Sequence, residues 1–169
     1  GLGGRLMVAM MNWGHAPVAR WGRSFLRLKA GATILDLGCG GGANLAVLLK
    51  LCPDGTAVGL DYSSVSVKKA SAVNCRAIAE GRCQVIQGDV QELPFQQVFR
   101  VLKPGGSFLV CNESNGEDPK QEKWCDIIGG MTIYTGERLF ELLWAAGFIQ
   151  VEIHQREDRN WLCVTAQKP

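Results

Sequence analysis

The sequence predicts an α/β fold: a doubly wound, mostly parallel sheet that closes in an antiparallel hairpin. Three observations carry that prediction. Short apolar runs bounded by glycine, proline or aspartate alternate with helical patterns between residues 32 and 112. The first of these runs, Ile34-Leu-Asp-Leu37, leads straight into Gly38-Cys-Gly-Gly-Gly42 and then into a helix. The chain ends in two strand-like stretches, 148–154 and 160–166, on either side of a polar turn.

Each element follows in order. Residues 1–30 read as an N-terminal helical cover, in which Leu6, Met7, Met10 and Met11 make a short apolar stripe over a ligand cleft. Residues 32–37 form the first strand, 43–51 a nearly all-apolar helix, and 56–61 the second strand. A helix over 63–79 turns Ala70, Val73 and Ala77 inward, and 84–88 and 106–112 add further strands. Leu139, Leu142, Leu143 and Ala146 recur at i, i+3, i+4, i+7, which predicts a helix over 136–146 with Thr135 as its N-cap and Gly147 as its stop. The organisation is a single domain, 1–169, with the cover at 1–30 and the core at 31–169.

With 169 residues, 47% of them hydrophobic, the chain is long enough to bury a core. No apolar run approaches the roughly 20 residues of a membrane span, and the start lacks a signal-peptide pattern, so the expectation is a soluble, cytoplasmic protein. A net charge of +2 argues against nucleic acid as a partner. Arg5, Arg20, Arg23, Arg27 and Lys29 stand in a segment without acidic residues, and they read first as a solvated helix face. Cysteines 39, 52, 75, 83, 111, 125 and 163 are odd in number and form no C-x-x-C pair. They read as reduced core thiols, with neither a disulfide framework nor a metal site.

The glycine-rich turn is a nucleotide-type cofactor loop. Bare backbone and the amides that open the next helix can approach an anionic or polar ligand closely. Read literally, Gly38-Cys-Gly40-Gly-Gly-Ala43 fits the dinucleotide pattern G-x-G-x-x-G/A, with Asp61 where a ribose carboxylate belongs. Asp36, two residues before the first glycine, points elsewhere: a carboxylate there opposes a pyrophosphate and suits a cationic, amino-acid-bearing ligand. S-adenosylmethionine, with its sulfonium and ammonium, is such a ligand, and NAD or NADP remains the rival.

Beyond the loop stand Gly59-Leu-Asp61-Tyr-Ser, then Val85-Ile-Gln-Gly88-Asp89-Val-Gln-Glu-Leu-Pro-Phe95, then Val101-Leu-Lys-Pro-Gly-Gly106-Ser-Phe-Leu-Val. In this order and spacing the chain resembles the class I S-adenosylmethionine-dependent methyltransferases over about residues 30 to 166. The last two motifs look like the small-molecule branch that includes the ubiquinone and menaquinone enzymes. The resemblance implies a Rossmann-like fold, S-adenosylmethionine as methyl donor and S-adenosylhomocysteine as product. It implies in-line transfer to an oxygen, nitrogen or carbon nucleophile of a small-molecule substrate. The cofactor contacts it implies are Asp36, Gly38, Cys39 and Gly40 around the methionine part, Asp61 on both ribose hydroxyls, Tyr62 against the adenine, and Asp89 at the adenine amino group between Gly88 and Val90. No metal is implied and no catalytic residue is assigned. Tyr134, Glu113 and Trp13 are candidates to line a substrate pocket, His15 could sit over the cleft as a base or gate with a capping or packing histidine as the rival reading, and His154 lies in a probable strand far along the sheet. The rival readings are an NAD(P)-dependent oxidoreductase and a cofactor-binding module without turnover.

One stretch is too short. If the third strand ends near Gly88 and the next begins near Gly106, a returning helix needs on the order of a dozen residues, and only Gln96 to Leu102 are available. The resembling family places a complete further strand and most of a helix here. Either the sequence joins two ends that are not neighbours, with the seam at Gln96 and Gln97, or it carries a genuine internal deletion after residue 96.

Overall fold

The computed structural model describes residues 14–88, 95–117 and 132–169; the Leu6–Met11 stripe, Trp13, Asp89 and Val90 lie outside the described residues. The chain divides into two compact units. One comprises Arg27–Val90 with the residues up to Pro17, and the other Val18–Leu26 with Gln91–Pro169.

The first unit is parallel. Strands β1 (Thr33–Leu37), β2 (Thr56–Asp61) and β3 (Cys83–Gln87) form one sheet in the order β1-β2-β3. The register sets Ile34 opposite Ala57 and Ala57 opposite Cys83. Those three residues share a face with Val85, and that face packs on Leu45 and Leu49 of helix α2 (Ala43–Leu51). Helix α2 is apolar because its inner stripe, Leu45, Leu48 and Leu49, is at most 5% exposed. The bounds of β1, α2 and β2 match the sequence reading to within a residue.

The helix expected over 63–79 is two: α3 (Ser64–Val73) and α4 (Cys75–Ala79), broken at Asn74. The Asn74 side chain is buried and donates from Nδ2 to the Ala70 carbonyl at 2.9 Å and to the Gly42 carbonyl at 3.1 Å. An asparagine that bonds backbone in this way competes with the helical ladder, which explains the break. Ala70 and Ala77 face inward as expected, whereas Val73 is 43% exposed. Ser63 caps α3, its Oγ accepting from the Ser66 amide.

The second unit is antiparallel. Strands β4 (Ser107–Asn112), β5 (Ile149–Arg156) and β6 (Trp161–Gln167) form a sheet in the order β4-β6-β5, so the expected closing hairpin is present. Strand β5 runs one residue longer than expected, and a register shift between Ile149 and Glu152 carries Gln150 at φ 50, a β-bulge. Helix α6 (Gly136–Ala145) starts where Thr135 Oγ1 accepts from the Arg138 amide. It buries Leu139 and Leu143. A Cβ on Gly136 would stand 2.8 Å from Ile153 Cγ2, so a side chain there would push the helix off the sheet. Helix α1 (Ala16–Arg23) belongs to this unit from Val18 onward. Trp21 sits edge-on to Phe25, with ring centres 5.3 Å apart, and tilted against Trp161 at 5.9 Å.

Helix α5 (Phe95–Val101) runs without a break through Gln96 and Gln97, the pair at the suspected seam. Its start follows the boundary between the units at Val90 and Gln91. That boundary falls in the stretch where the sequence is short of a strand, and the six described strands form two separate sheets.

Candidate functional site

The residues singled out by sequence converge at the carboxyl ends of the three parallel strands. There, Leu37 pairs with Leu60 and Asp61 with Gln87, so the segments after β1, β2 and β3 leave the sheet side by side. This is the edge of an open α/β sheet where ligands bind.

The loop after β1 is fixed from both sides. The amides of Gly38 and Cys39 both donate to the Leu60 carbonyl, at 2.8 and 3.0 Å, and the Gly42 amide donates to the Cys39 carbonyl. Gly38 has φ 73 and open space where a Cβ would stand, so its backbone presents a bare surface. Gly42 has φ 77 and no space at all: a Cβ would lie 2.7 Å from the Ala70 Cα and 2.7 Å from Asn74 Nδ2. Gly42 is also the N-cap of α2, without a side-chain cap. The N-terminus of that helix therefore faces the glycine loop.

Asp61 ties the second strand to this loop. It is 6% exposed, Oδ2 accepts from the Gly40 amide at 2.8 Å, and Oδ1 accepts from the Ser63 amide at 2.9 Å. A carboxylate has about four lone-pair sites, so each oxygen keeps one for a further donor. Asp36 lies on the same face as the loop and accepts from Asn44 Nδ2 at 3.3 Å. Tyr62 is 65% exposed, its carbonyl accepting from Gln87 Nε2 at 3.1 Å. Gly88 follows β3, and its amide donates to the Asp61 carbonyl at 3.0 Å.

Cys39 reports the electrostatics of the loop. Burial, then the negative charges of Asp36 and Asp61, push its thiol up to about 12, so it stays a neutral filler.

Asp36, Gly38, Cys39, Gly40, Asp61, Tyr62 and Gly88 are thus gathered in the parallel unit; Asp89 and Val90 lie outside the described residues. Two members of the framework were missed by sequence reasoning. Asn44 holds Asp36, and Asn74 holds the Gly42 carbonyl. The available signal was a lone amide side chain in each of two otherwise poorly polar helical turns.

The pocket-lining candidates are distributed differently. Glu113 is exposed just past β4. The Tyr134 ring meets Phe95 edge-on at 6.4 Å, and its carbonyl group lies 2.9 Å from where a Cβ on Gly116 would stand. His15 is exposed. His154, on β5, stacks on Phe25 with ring centres 3.9 Å apart and lies 3.3 Å from Thr165 Oγ1. Among the described residues no group of histidines, cysteines and acids could hold a metal ion, and no helix is long and apolar enough to cross a membrane.

A family model described as a methyltransferase domain matches residues 28–97, which hold the glycine loop, Asp61 and β3. The botryococcene C-methyltransferase of Botryococcus braunii is 32% identical over 109 residues, covering 50% of this chain and 28% of that protein. The chain therefore spans less than a third of that relative's length. The uncharacterized methyltransferase YdaC of Bacillus subtilis (strain 168) is 25% identical, with 89% of this chain and 91% of that protein covered. Among solved structures, the putative methyltransferase complex with the Trm112 activator of Haloferax volcanii superposes with a TM-score of 0.85 at 20% identity, covering 98% of this chain and 94% of that one, a likeness of fold.

Proposed function

Because the chain belongs to the class I S-adenosylmethionine-dependent methyltransferases, we propose that residues 1–169 act as one methyltransferase domain in the cytoplasm, moving a methyl group to a small-molecule acceptor. The observation that carries this reading is the pair of carboxylates beside the glycine loop: Asp61 accepts from the Gly40 amide at 2.8 Å, and Asp36 accepts from Asn44 Nδ2 at 3.3 Å. A dinucleotide would bring a pyrophosphate into that field, whereas S-adenosylmethionine brings a sulfonium and an ammonium. The chain's own groups fit the second ligand: two acids beside the glycine loop and a bare backbone at Gly38.

In this reading Asp61 takes the ribose hydroxyls on the lone pairs left by Gly40 and Ser63, and Tyr62 lies against the adenine. Asp36, steadied by Asn44, faces the amino-acid end, Gly38, Cys39 and Gly40 approach it with backbone, and Gly88, Asp89 and Val90 border the adenine amino group. The bound donor supplies an electrophilic methyl on a sulfonium sulfur. The protein's share is orientation and exclusion of water, which for an in-line displacement can provide much of the acceleration without a dedicated base. The names of relatives such as the botryococcene C-methyltransferase support a small-molecule acceptor.

The test is thermal unfolding with S-adenosylmethionine, S-adenosylhomocysteine, NAD and NADP in parallel. A ligand at a hundred times its dissociation constant adds about 2.7 kcal/mol. Stabilisation by the two adenosyl sulfur compounds alone is expected, followed by transfer of labelled methyl to members of an acceptor library. Stabilisation by a dinucleotide alone would overturn the reading, and donor binding without transfer to any acceptor would leave a binding module.

A further inference from the structure

The antiparallel sheet places two thiols face to face. Cys111 on β4 and Cys163 on β6 are register partners, directly opposed across the antiparallel pair. Directly opposed residues of an antiparallel pair have Cα atoms about 4.5–5.5 Å apart, inside the roughly 4.4–6.8 Å that a disulfide spans. The two thiols differ in access, Cys163 being fully buried and Cys111 half-buried. Helix α1 packs on Cys111: its Sγ donates to the Val18 carbonyl at 3.5 Å and would lie 2.7 Å from a Cβ on Gly22.

We propose that Cys111 and Cys163 form an oxidation site for hydroperoxides, with Cys111 the attacking sulfur and Cys163 the resolving one. The Cys111 thiolate attacks the terminal peroxide oxygen, the O–O bond breaks, and the product is a sulfenic acid with release of water or an alcohol after protonation. The Cys163 sulfur then attacks the sulfenic sulfur, the S–O bond breaks, and the hydroxyl leaves as water with the Cys163 proton. Two thiols and one peroxide become one disulfide and two hydroxyl products, so the peroxide is reduced by the electrons the sulfurs lose. A thiol-based reductant reverses the step.

The polarity of the pair supports these roles. The facing Cys163 thiol holds the Cys111 thiol below its ordinary value against the opposing effect of burial. The facing Cys111 and full burial push Cys163 up, so it keeps the proton. No other described cysteine is placed in this way. Burial pushes Cys39, Cys52 and Cys83 up, and Cys75 is exposed.

The experiment treats the folded protein with hydrogen peroxide, blocks remaining thiols with an alkylating agent, and maps the peptides. A peptide pair joined through Cys111 and Cys163, lighter by two hydrogens and separated by reductant, is expected. The Cys163→Ala variant should stall at the sulfenic acid and take a dimedone label on Cys111 that the wild-type protein does not. Because that substitution touches the core, Cys75→Ala serves as a second variant, which should form the same link at the same rate. Links through other cysteines, alkylated Cys111 and Cys163 after treatment, or sulfinic acid on wild-type Cys111 without a link would each overturn the proposal.

Discussion

In the parallel unit the buried side chains that do specific work are polar, and each is held by backbone: Asp61 by the Gly40 and Ser63 amides, Asn74 by the Gly42 and Ala70 carbonyls. In the antiparallel unit the interior is aromatic, aliphatic and thiol, with Phe148, Leu139, Leu143, Leu162 and Cys163 all at most 1% exposed. The first arrangement fixes a loop conformation; the second fixes only that two surfaces stay together. A ligand site needs the first kind, because positioned amides and carboxylates select chemistry while a packed apolar interior tolerates exchange of one hydrocarbon for another. The contrast also separates what each unit can lose.

Breaking the loop should cost most. At Gly42 an alanine meets both a left-handed backbone and atoms at 2.7 Å, whereas at Gly105 in the other unit, with φ 71, nothing lies within 4 Å. Gly42→Ala should lower stability by about 3 kcal/mol, from strain and overpacking together, and Gly105→Ala by about 1 kcal/mol from strain alone. Urea midpoints at unchanged slope measure both. Equal losses would remove the distinction between a packed loop glycine and a free turn glycine.

Asp61→Asn sharpens the comparison at one atom. An amide offers one acceptor where the carboxylate uses two oxygens, so one of the Gly40 and Ser63 amides faces a donor. The expected loss is about 2 kcal/mol of stability, with S-adenosylhomocysteine affinity falling about tenfold or more, read by calorimetry. A stable variant that bound the ligand undiminished would take Asp61 out of the site.

The fold was legible where one pattern dominated. Strands β1 and β2 and helix α2 follow from apolar runs and a glycine turn, and α6 from a stripe of three leucines and an alanine with a threonine cap. Its outer face was less so: Trp144 is 61% exposed and stacks on Phe140 rather than lining a core or pocket. Residues acting across the sequence were not legible. Asn74 lies 32 positions from the Gly42 carbonyl it holds, and its local pattern is that of an ordinary helix. Asp36, Asp61 and the glycines could be found because strand ends and ligand chemistry restrict residue type there. The division into two sheets could not, since a missing strand leaves only a shortage of residues behind.

Titration tests the glycine loop by pH. The thiol of Cys39 has its pKa raised in the folded state, so folding retains a proton that the unfolded chain releases. Stability is therefore fully present below the ordinary cysteine value and falls as pH rises from about 9 towards 12, by at most about 1.4 kcal/mol per pH unit for this group. The melting temperature of Cys39→Ala should decline less steeply over that window than that of the wild-type protein. Parallel curves would mean that burial and the neighbouring carboxylates do not raise the Cys39 thiol.

The smallest effects belong to the exposed side of α6, where two interactions in the same turn can be weighed against each other. Thr135 caps the helix through the Arg138 amide, and the Arg138 side chain pairs with Glu141 at 2.8 Å, both partners more than half exposed. The cap satisfies an amide with no helical partner, and Thr135→Ala should cost about 1 kcal/mol. The ion pair exchanges water for a screened neighbour, and Arg138→Ala should cost about 0.3 kcal/mol and vanish in high salt. If the two variants unfold at the same urea concentration, the surface of the antiparallel unit is held by charge more than by backbone satisfaction, and its contrast with the Asp61 loop narrows accordingly.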